Sequence, residues 1–496
     1  MTRTFVSSFI FLLILSLPAS LSGQRQTLSL ADAIEIAQAR SYSAMVARLN
    51  LLSQYWSHRS YRAELLPSVN LSGGLMEFDR SMVQTRDYED GRIYYVENNT
   101  LSNSLTLSIN QNIAPLGGIL SLQSYLYRLD QFSYGNRLYN SRPIRLSYTQ
   151  PLFAFNRLKW LKKTEPIRYD MARRTYLEAM EGIGVEVVGL FFSVLSAQSD
   201  AERAESNLAD RRLLLETAGK RFEIGTITKS ELLQLELSVL NAEVEAADNT
   251  LALRNAHFSL RSYLRLPADI EVTLIPPYTV ADILMSESEV TERALTNSSH
   301  TLQQKVSLLE SEQSVAQAKG NRGLQMQLRT QLGLDKSGAS LHDAFTGMRD
   351  NEIVGLTFSL PVFDWGMGRG RVKMAEADLE ANRAQLLLAH EKYLQDLATD
   401  VERFNIQSVQ CKNALRAQDI ADERYDITKR RFEAGSVSVT DLNTAWQESQ
   451  SARAQYIRLL QSYWSAYYSL RRSTLYDWIN SRDIIVDFDA IINNSK

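Results

Sequence analysis

The sequence is poor in cysteine, proline and net charge, and each shortage excludes something. It has a single cysteine, Cys411, in 496 residues. One thiol can form neither a disulfide within the chain nor a thiolate metal cluster. Lysine and arginine number 54 against 57 aspartates and glutamates, a formal charge of −3. No excess positive field exists to hold phosphates, so a basic nucleic-acid binder is excluded. There are only 10 prolines. None falls between Tyr169 and Leu266, and none follows Val362. Stretches of that length without proline predict long helices. Beyond the N-terminus no run of 18 apolar residues stands out, although 44% of residues are hydrophobic and 22% charged. That balance is globular, not disordered.

The N-terminus reads as an export signal. Arg3 precedes an apolar run from Phe9 to Leu15, then Pro18 and the small residues Ala19, Ser20 and Ser22. A positive start, a short apolar core and small residues before a cut after Ser22 predict a secretory signal over 1–22. The run is too short to span a bilayer. No cysteine lies near the cut to carry a lipid. The mature chain is therefore expected to leave the cytoplasm without a transmembrane helix, as a soluble protein or as a β-barrel.

What the sequence does have is an internal duplication. LSYTQPLFAF at Leu146–Phe155 matches LTFSLPVFDW at Leu356–Trp365, and RFEIGTITKSEL at Arg221–Leu232 matches RFEAGSVSVTDL at Arg431–Leu442. Pro151 and Pro361 stand 210 residues apart, as do Gly225 and Gly435. Upstream, Ala37 with Ala294 and Leu51 with Leu308 are offset by 257, so the first half carries 47 extra residues between about Leu75 and Ile144. Two copies of one supersecondary unit follow: 23–275 and 276–475, with a tail at 476–496 and, over about 76–143, an enlarged loop whose alternating stretches Leu105–Ile109 and Leu120–Leu126 are expected to form a hairpin of their own.

Each unit reads as helix, strands, then a long helical hairpin. Val69, Leu71 and Leu75 alternate with polar residues, as do Leu146 and Tyr148 with Ser147 and Thr149, Leu328 and Leu332 with Arg329 and Gln331, and Leu356 and Phe358 with Thr357 and Ser359. Period two fits a half-buried strand, and equally a barrel strand with one face in lipid. Phe153, Phe155 and Trp160, and Phe363 and Trp365, gather at the strand ends, which suits a membrane–water interface. A helix over Arg371–Lys429 would be roughly 90 Å long, beyond what a globular core uses. Apolar residues step by threes and fours through Leu237, Leu240, Val244, Ala247 and Leu251, and through Tyr456, Leu460, Tyr463, Tyr467 and Leu470. That spacing predicts coiled-coil packing.

Chemistry-bearing motifs are weak. His58, His257, His300, His342 and His390 are scattered, with no pair at ligand spacing, so no metal site is expected. Gly366-Met367-Gly368-Arg369-Gly370 lacks the spacing of a dinucleotide fingerprint and the lysine of a P-loop. No catalytic constellation and no cofactor site emerge. The basic pairs Arg173-Arg174 and Arg211-Arg212 read as solvated faces. The two glycine turns are more specific. Gly225 and Gly435 are placed to end a helix, Thr228 and Ser438 to start the next, and Glu231 and Asp441 to sit in its first turn.

These segments together resemble TolC-like outer-membrane efflux proteins. LSLADAI at Leu28–Ile34, LPSV at Leu66–Val69, QPLF at Gln150–Phe153, both glycine tips and the duplication itself carry the resemblance. It implies an α+β membrane protein of the bacterial outer membrane. Three identical chains would each give four strands to one 12-stranded barrel, continued by a coiled-coil tunnel into the periplasm. It also implies docking of a periplasmic adaptor and, through it, an inner-membrane transporter. The tips Gly225, Thr226, Gly435 and Ser436 would then be adaptor contacts, and Glu231 and Asp441 would line the periplasmic entrance. The chain departs from the family's closing residues: Val437 replaces an arginine, Phe432 a tyrosine and Thr444 a second aspartate. The expected function is passive export of small molecules or proteins. A structural or adhesive coiled-coil surface protein is the alternative, and an enzyme is not expected.

Overall fold

The computed structural model describes residues 25–86, 91–267, 271–277, 280–281, 283–434, 436–437 and 439–493. The signal segment, Gly435 and Ser438 lie outside them. In chain order the elements are β1 (Arg25–Leu28), α1 (Leu30–Arg40), α2 (Tyr42–Glu64), β2 (Ser68–Arg86), β3 (Ile93–Ile113), β4 (Gly118–Gln131), β5 (Asn136–Leu152), α3 (Arg157–Glu223), α4 (Lys229–Leu264) and β6 (Glu271–Leu274). Then come α5 (Glu287–Asn297), α6 (His300–Arg322), β7 (Gln325–Gly338), β8 (Arg349–Ser359), α7 (Met367–Glu433), α8 (Val439–Thr474), the short strands β9 (Tyr476–Asp477) and β10 (Arg482–Asp483), and α9 (Phe488–Asn493).

The duplication is visible in helix lengths. α1 and α5 have 11 residues each, α2 and α6 have 23, α3 and α7 have 67, and α4 and α8 have 36. What breaks the symmetry is the pair β3 and β4, which lies in the first half alone. Two compact units result, each drawing on both halves: residues 1–44, 183–282 and 406–466, and residues 45–182, 283–405 and 467–496.

In the first unit α1 contacts α4, with Leu30, Ala33, Ile34 and Ala37 buried. Ser29 caps α1 and Asp32 returns the bond to the Ser29 backbone, satisfying donors the helix end would leave open. β1 pairs in parallel with β6. Tyr456, Leu460 and Tyr463 of α8 are buried, so that apolar seam packs within the chain. The α4 stripe does not. Leu237, Leu240, Val244 and Leu251 are exposed, while Val239, Ala242 and Ala246 form the buried face. Periodicity found the apolar stripe, but among the described residues nothing covers it. One window of α3 is apolar enough to cross a membrane by composition, and half of it is buried. Ile183, Val187, Val188, Phe191 and Phe192 of this helix are core residues. Cys411 is buried too, and burial pushes its thiol up to about 11. It stays protonated and inert.

The second unit holds one six-stranded antiparallel sheet in the order β2-β3-β4-β5-β7-β8. This corrects the expectation of four strands per chain. Leu105–Ile109 and Leu120–Leu126 do pair as a hairpin, but it is not part of a loop: it joins the sheet between β2 and β5, because its residues alternate with the same period as theirs. Below the sheet, Ala47, Leu51, Tyr176, Leu177 and Leu475 form a core, and the C-terminal tail packs on it through Ile484, Val486, Phe488 and Ile491.

That core is flanked by a buried ion network. Arg471 pairs with Glu181 at 2.7 Å and with Asp477 at 3.1 Å, and Tyr467 donates to Asp477 at 2.9 Å. Burial alone would raise the Asp477 carboxyl. Hydrogen bonds from Asn480 and Tyr467 and the Arg471 charge hold it below its ordinary value. Removing the shared cation strands the buried Glu181 carboxylate, whereas Asp477 keeps Tyr467, Asn480 and, at 3.9 Å, Arg482. Arg471→Met is expected to cost about 3–5 kcal/mol, read as a lower unfolding midpoint in detergent. An unchanged midpoint would show that the network is dispensable.

Candidate functional site

The sheet has two chemically different faces. Residues opposite one another in neighbouring strands share a face. Val69, Ile109, Leu122, Leu146 and Leu332 are in register across β2, β3, β4, β5 and β7. All five are 38–66% exposed. The row ends at Glu352 on the edge strand β8. One residue along, Ser68, Asn110, Ser121, Ser147 and Gln331 form the matching row on the other face. Here Ser121 and Gln331 are buried, and Asn110 and Ser147 half-buried. Through β3, β4 and β5 the burial is therefore inverted: apolar side chains are exposed and polar ones covered. A water-soluble sheet does the opposite. An extended exposed apolar patch marks a surface made to meet something apolar.

Aromatics stand at the sheet's helical end. Phe153 leaves β5 with φ of 62°, and Trp365 follows β8 with φ of 53°. Phe153, Phe363 and Trp365 are exposed and Phe155 and Trp160 half-buried. Phe363 and Trp365 pack edge to face at 4.5 Å.

The hairpin tips of the first unit share a closing contact. At the first, Gly225 has φ of 75° and donates to the Phe222 carbonyl at 2.9 Å. The Thr226 amide and hydroxyl both donate to the Arg221 carbonyl at 2.9 Å. At the second, the Ser436 amide and hydroxyl donate to Arg431 at the same distances. At the first tip a glycine in the left-handed region precedes the hydroxyl residue, and at both tips that hydroxyl residue satisfies a carbonyl the helix end leaves open. Thr228 then caps α4. Glu231 accepts from the Thr228 amide at 2.7 Å and from its hydroxyl at 2.9 Å. These two bonds hold the Glu231 carboxyl below its ordinary value. Asp441 sits in the first turn of α8.

Just above the tips the two hairpins are tied together by residues the sequence reading left out. Tyr425 donates to Asp210 at 3.4 Å and Lys429 reaches it at 3.5 Å. Arg211 donates to Asn443 at 2.9 Å. Burial and then Asp210 push the Tyr425 hydroxyl up to about 12. These residues line a cleft of about 240 Å³ with Phe432 and Trp446. Arg211 and Arg212, expected on a solvated face, are engaged: Arg212 pairs with Glu243 at 2.7 Å. Arg173 likewise lies over the Phe488 ring at 4.3 Å. No signal in the sequence joins Asp210 to Tyr425. Among the described residues no group of histidine, cysteine, aspartate or glutamate is arranged to hold a metal.

The Glu231 bonds carry a pH sign. Its folded pKa is depressed, so the stability it contributes is complete above the ordinary value of 4.5 and is lost as pH falls through the folded value. Hydrogen exchange at the Thr228–Glu231 amides should quicken on acidification below that point beyond the intrinsic trend. Glu231→Gln should abolish this pH dependence. An identical dependence in the variant would show that the carboxylate does not cap.

The profile of the outer membrane efflux protein family matches residues 33–264 and 290–474. None of the curated protein sequences matches the chain. Among solved structures the chain is similar to the CmeC outer membrane channel of Campylobacter jejuni, at 13% identity and TM-score 0.66, covering 94% of this chain and 88% of that one. It is also similar to VceC of Vibrio cholerae, at 16% identity and TM-score 0.62, over 90% and 95% of the two chains. The open-state MtrE channel of Neisseria gonorrhoeae matches at 15% and 0.61, over 92% and 91%. These likenesses establish the shared fold. With the matched profile spanning most of its length, the chain belongs to the outer membrane efflux protein family, the outer-membrane channel components of efflux systems.

Proposed function

We propose that three copies of this chain close their sheets into one ring in the outer membrane, and that their long helices continue it as an export duct. The observation that carries this is the inverted burial of the sheet. An apolar row presented across five strands, backed by a polar one, is the face pattern of a lipid-embedded barrel with a wet lumen. Three six-stranded sheets make 18 strands, where the family resemblance implied 12. Barrel diameter grows roughly linearly with strand number, so the ring would be about one and a half times as wide. The exposed α4 stripe from Leu237 to Phe258 supplies an apolar seam for the neighbouring copy's helices.

In this reading Phe153, Phe155, Trp160, Phe363 and Trp365 mark the inner membrane–water boundary. The tips at Gly225 and Thr226, and at Gly435 and Ser436, are the docking points for a periplasmic adaptor that links the duct to an inner-membrane transporter. Their repetition in both halves supports a partner that reads the same shape twice. Glu231 and Asp441 lie beside those tips and give the periplasmic entrance its charge. The bridges from Asp210 to Tyr425 and Lys429, and from Arg211 to Asn443, hold the hairpins in the conformation observed. They stand where Phe432, Val437 and Thr444 lack the family's closing groups. The duct takes no part in chemistry.

Two experiments test this. Single cysteines in a Cys411→Ser background at Ile109, Leu122, Leu146 and Phe358 should react with a lipid-soluble reagent, and those at Ser108, Ser121, Ser147 and Thr357 with a water-soluble one. Equal labelling of both sets would remove the barrel assignment. At the tip, no heavy atom lies within 4 Å of a Cβ added to Gly225, so only its backbone angle resists a side chain. The left-handed region costs an ordinary residue about 1–2 kcal/mol, and more if β-branched. Gly225→Val with Gly435→Val should abolish export while the assembled protein stays in the membrane, and asparagine at both sites should retain it. Normal export by the valine variant would overturn the docking role.

A further inference from the structure

On the polar face of the sheet, three arginines stand together without acidic partners. Arg145 of β5 is opposite Gln123 of β4 and donates to its amide oxygen. Arg142, opposite Tyr125, places its guanidinium 5.4 Å from that ring's centre. Arg329 of β7 is opposite Thr149 and bonds the Gln331 amide oxygen at 2.7 Å. Among the described residues none of the three forms an ion pair with a carboxylate. The charged groups close enough to act on Arg145 are Arg142 and Arg329. Asp335 lies on this face as well, directly opposite Arg349, and among the described residues it forms no ion pair with the three arginines. The other lumen-facing carboxylates, Glu77 and Asp79, are opposite Ser102 and Thr100, beyond the arginines in the direction away from the helices. The rest of this level is uncharged: Ser108, Ser121, Ser147 and Thr149.

The fold holds the arginines in place. β5 carries an irregularity between Ser141 and Arg145 that puts Arg142 on the same face as Arg145. Gly333 stands opposite Arg145, and a Cβ there would meet the Ile144 carbonyl oxygen at 2.8 Å. Only glycine permits that approach. The Nε donors of Arg142 and Arg145 are buried with no acceptor in the chain. A buried charged donor without a partner is costly, and like charges crowded together add to the cost. A structural role would supply a carboxylate. Three guanidiniums that share only amides and an aromatic ring are instead matched to an anion arriving from the lumen.

We propose that Arg142, Arg145 and Arg329 form an anion-preferring zone in the barrel lumen, selecting for cargo that carries carboxylate, phosphate or sulfonate groups. This rests on the ring reading above. In a three-chain ring the cluster repeats around the axis, and rings of cationic side chains make pores prefer anions.

The test is single-channel recording of the purified full-length protein in planar bilayers at low salt, with inorganic tripolyphosphate added from the barrel side. The wild type should pass chloride in preference to potassium and be blocked by tripolyphosphate. The triple variant Arg142→Gln, Arg145→Gln, Arg329→Gln should need at least about tenfold more blocker. The Arg→Lys triple, which keeps the charge, should stay blocked. If the glutamine triple fails to assemble, Arg145→Gln alone is measured against the same criteria. Equal half-blocking concentrations in wild type and a conducting glutamine variant would overturn the arginine zone and leave the ring untouched. Absence of any conductance in the wild type would overturn the ring and this inference with it. Adding the blocker from the barrel side keeps the readout apart from the carboxylates at the tips.

Discussion

The unpaired backbone edges of β2 and β8 constrain everything else in this protein. Between them, five antiparallel ladders satisfy the peptide groups of the sheet. At the two outer edges a row of N–H and C=O groups has no partner in the sheet. In hydrocarbon each open group costs several kcal/mol, and no water is there to relieve it. A sheet with an apolar outer face therefore cannot enter lipid as a monomer. Covering the edges with charge, as water-soluble proteins do, would defeat the apolar face beside them. The ring proposed above, closed by further copies, is compatible with both demands. β2 and β8 run in opposite directions, so one copy's β2 can continue the antiparallel order from another's β8.

The helices answer the same demand differently. A helix satisfies its own backbone, so its assembly is governed by apolar stripes instead of edges. α8 buries Tyr456, Leu460, Tyr463 and Tyr467 inside the chain, whereas α4 presents Leu237, Leu240, Val244 and Leu251 to the outside. Both stripes have coiled-coil spacing, yet one packs within the chain and the other stays exposed. Hydrogen-bonding hydroxyls on Tyr463 and Tyr467, to Ala281 and Asp477, tie the folding seam to fixed partners. The α4 stripe carries no hydrogen-bonding group and sets no such condition.

This difference explains what the sequence could reveal. The duplication was legible because spacing survives divergence: Pro151 to Gly225 and Pro361 to Gly435 keep one distance. The glycine tips were legible because left-handed backbone and helix caps restrict residue choice to a few types. The strands were legible one by one, from period two. Their number was not. Counting four came from the resemblance, while the alternation at Leu105–Ile109 and Leu120–Leu126 already carried the same apolar face as its neighbours. Partnership was the least legible property. Asp210 and Tyr425 are 215 positions apart, and neither belongs to a motif. Nor does periodicity say whether a stripe meets its own chain or another copy. The arginines on the polar face of the sheet are ordinary polar positions in the sequence, and their lack of carboxylates is a fact of register alone.

Register also explains how the first half could gain strands without losing its function. An added strand reverses the direction of the one that follows. A single insertion between β2 and β5 would deliver the chain to the wrong end of the sheet and place α3 on the far side of the membrane. A hairpin restores direction. The turn between β3 and β4 indeed sits where α2 ends and α3 begins: Asn112 donates to the Glu64 carbonyl at 2.9 Å, Gln111 to that of Leu65 at 2.9 Å, and Asn156 to that of Ala114 at 2.9 Å. These three amides seal a turn that would otherwise expose peptide groups beside the apolar face. The second condition is that the inserted strands keep the face pattern, since a slip of one residue would turn every leucine inward. Ile109 and Leu122 lie in register with Val69 and Leu146, so the condition is met. A wall built this way can widen by pairs of strands while the helical hairpins, joined at unchanged positions, keep the lengths they share with the second half.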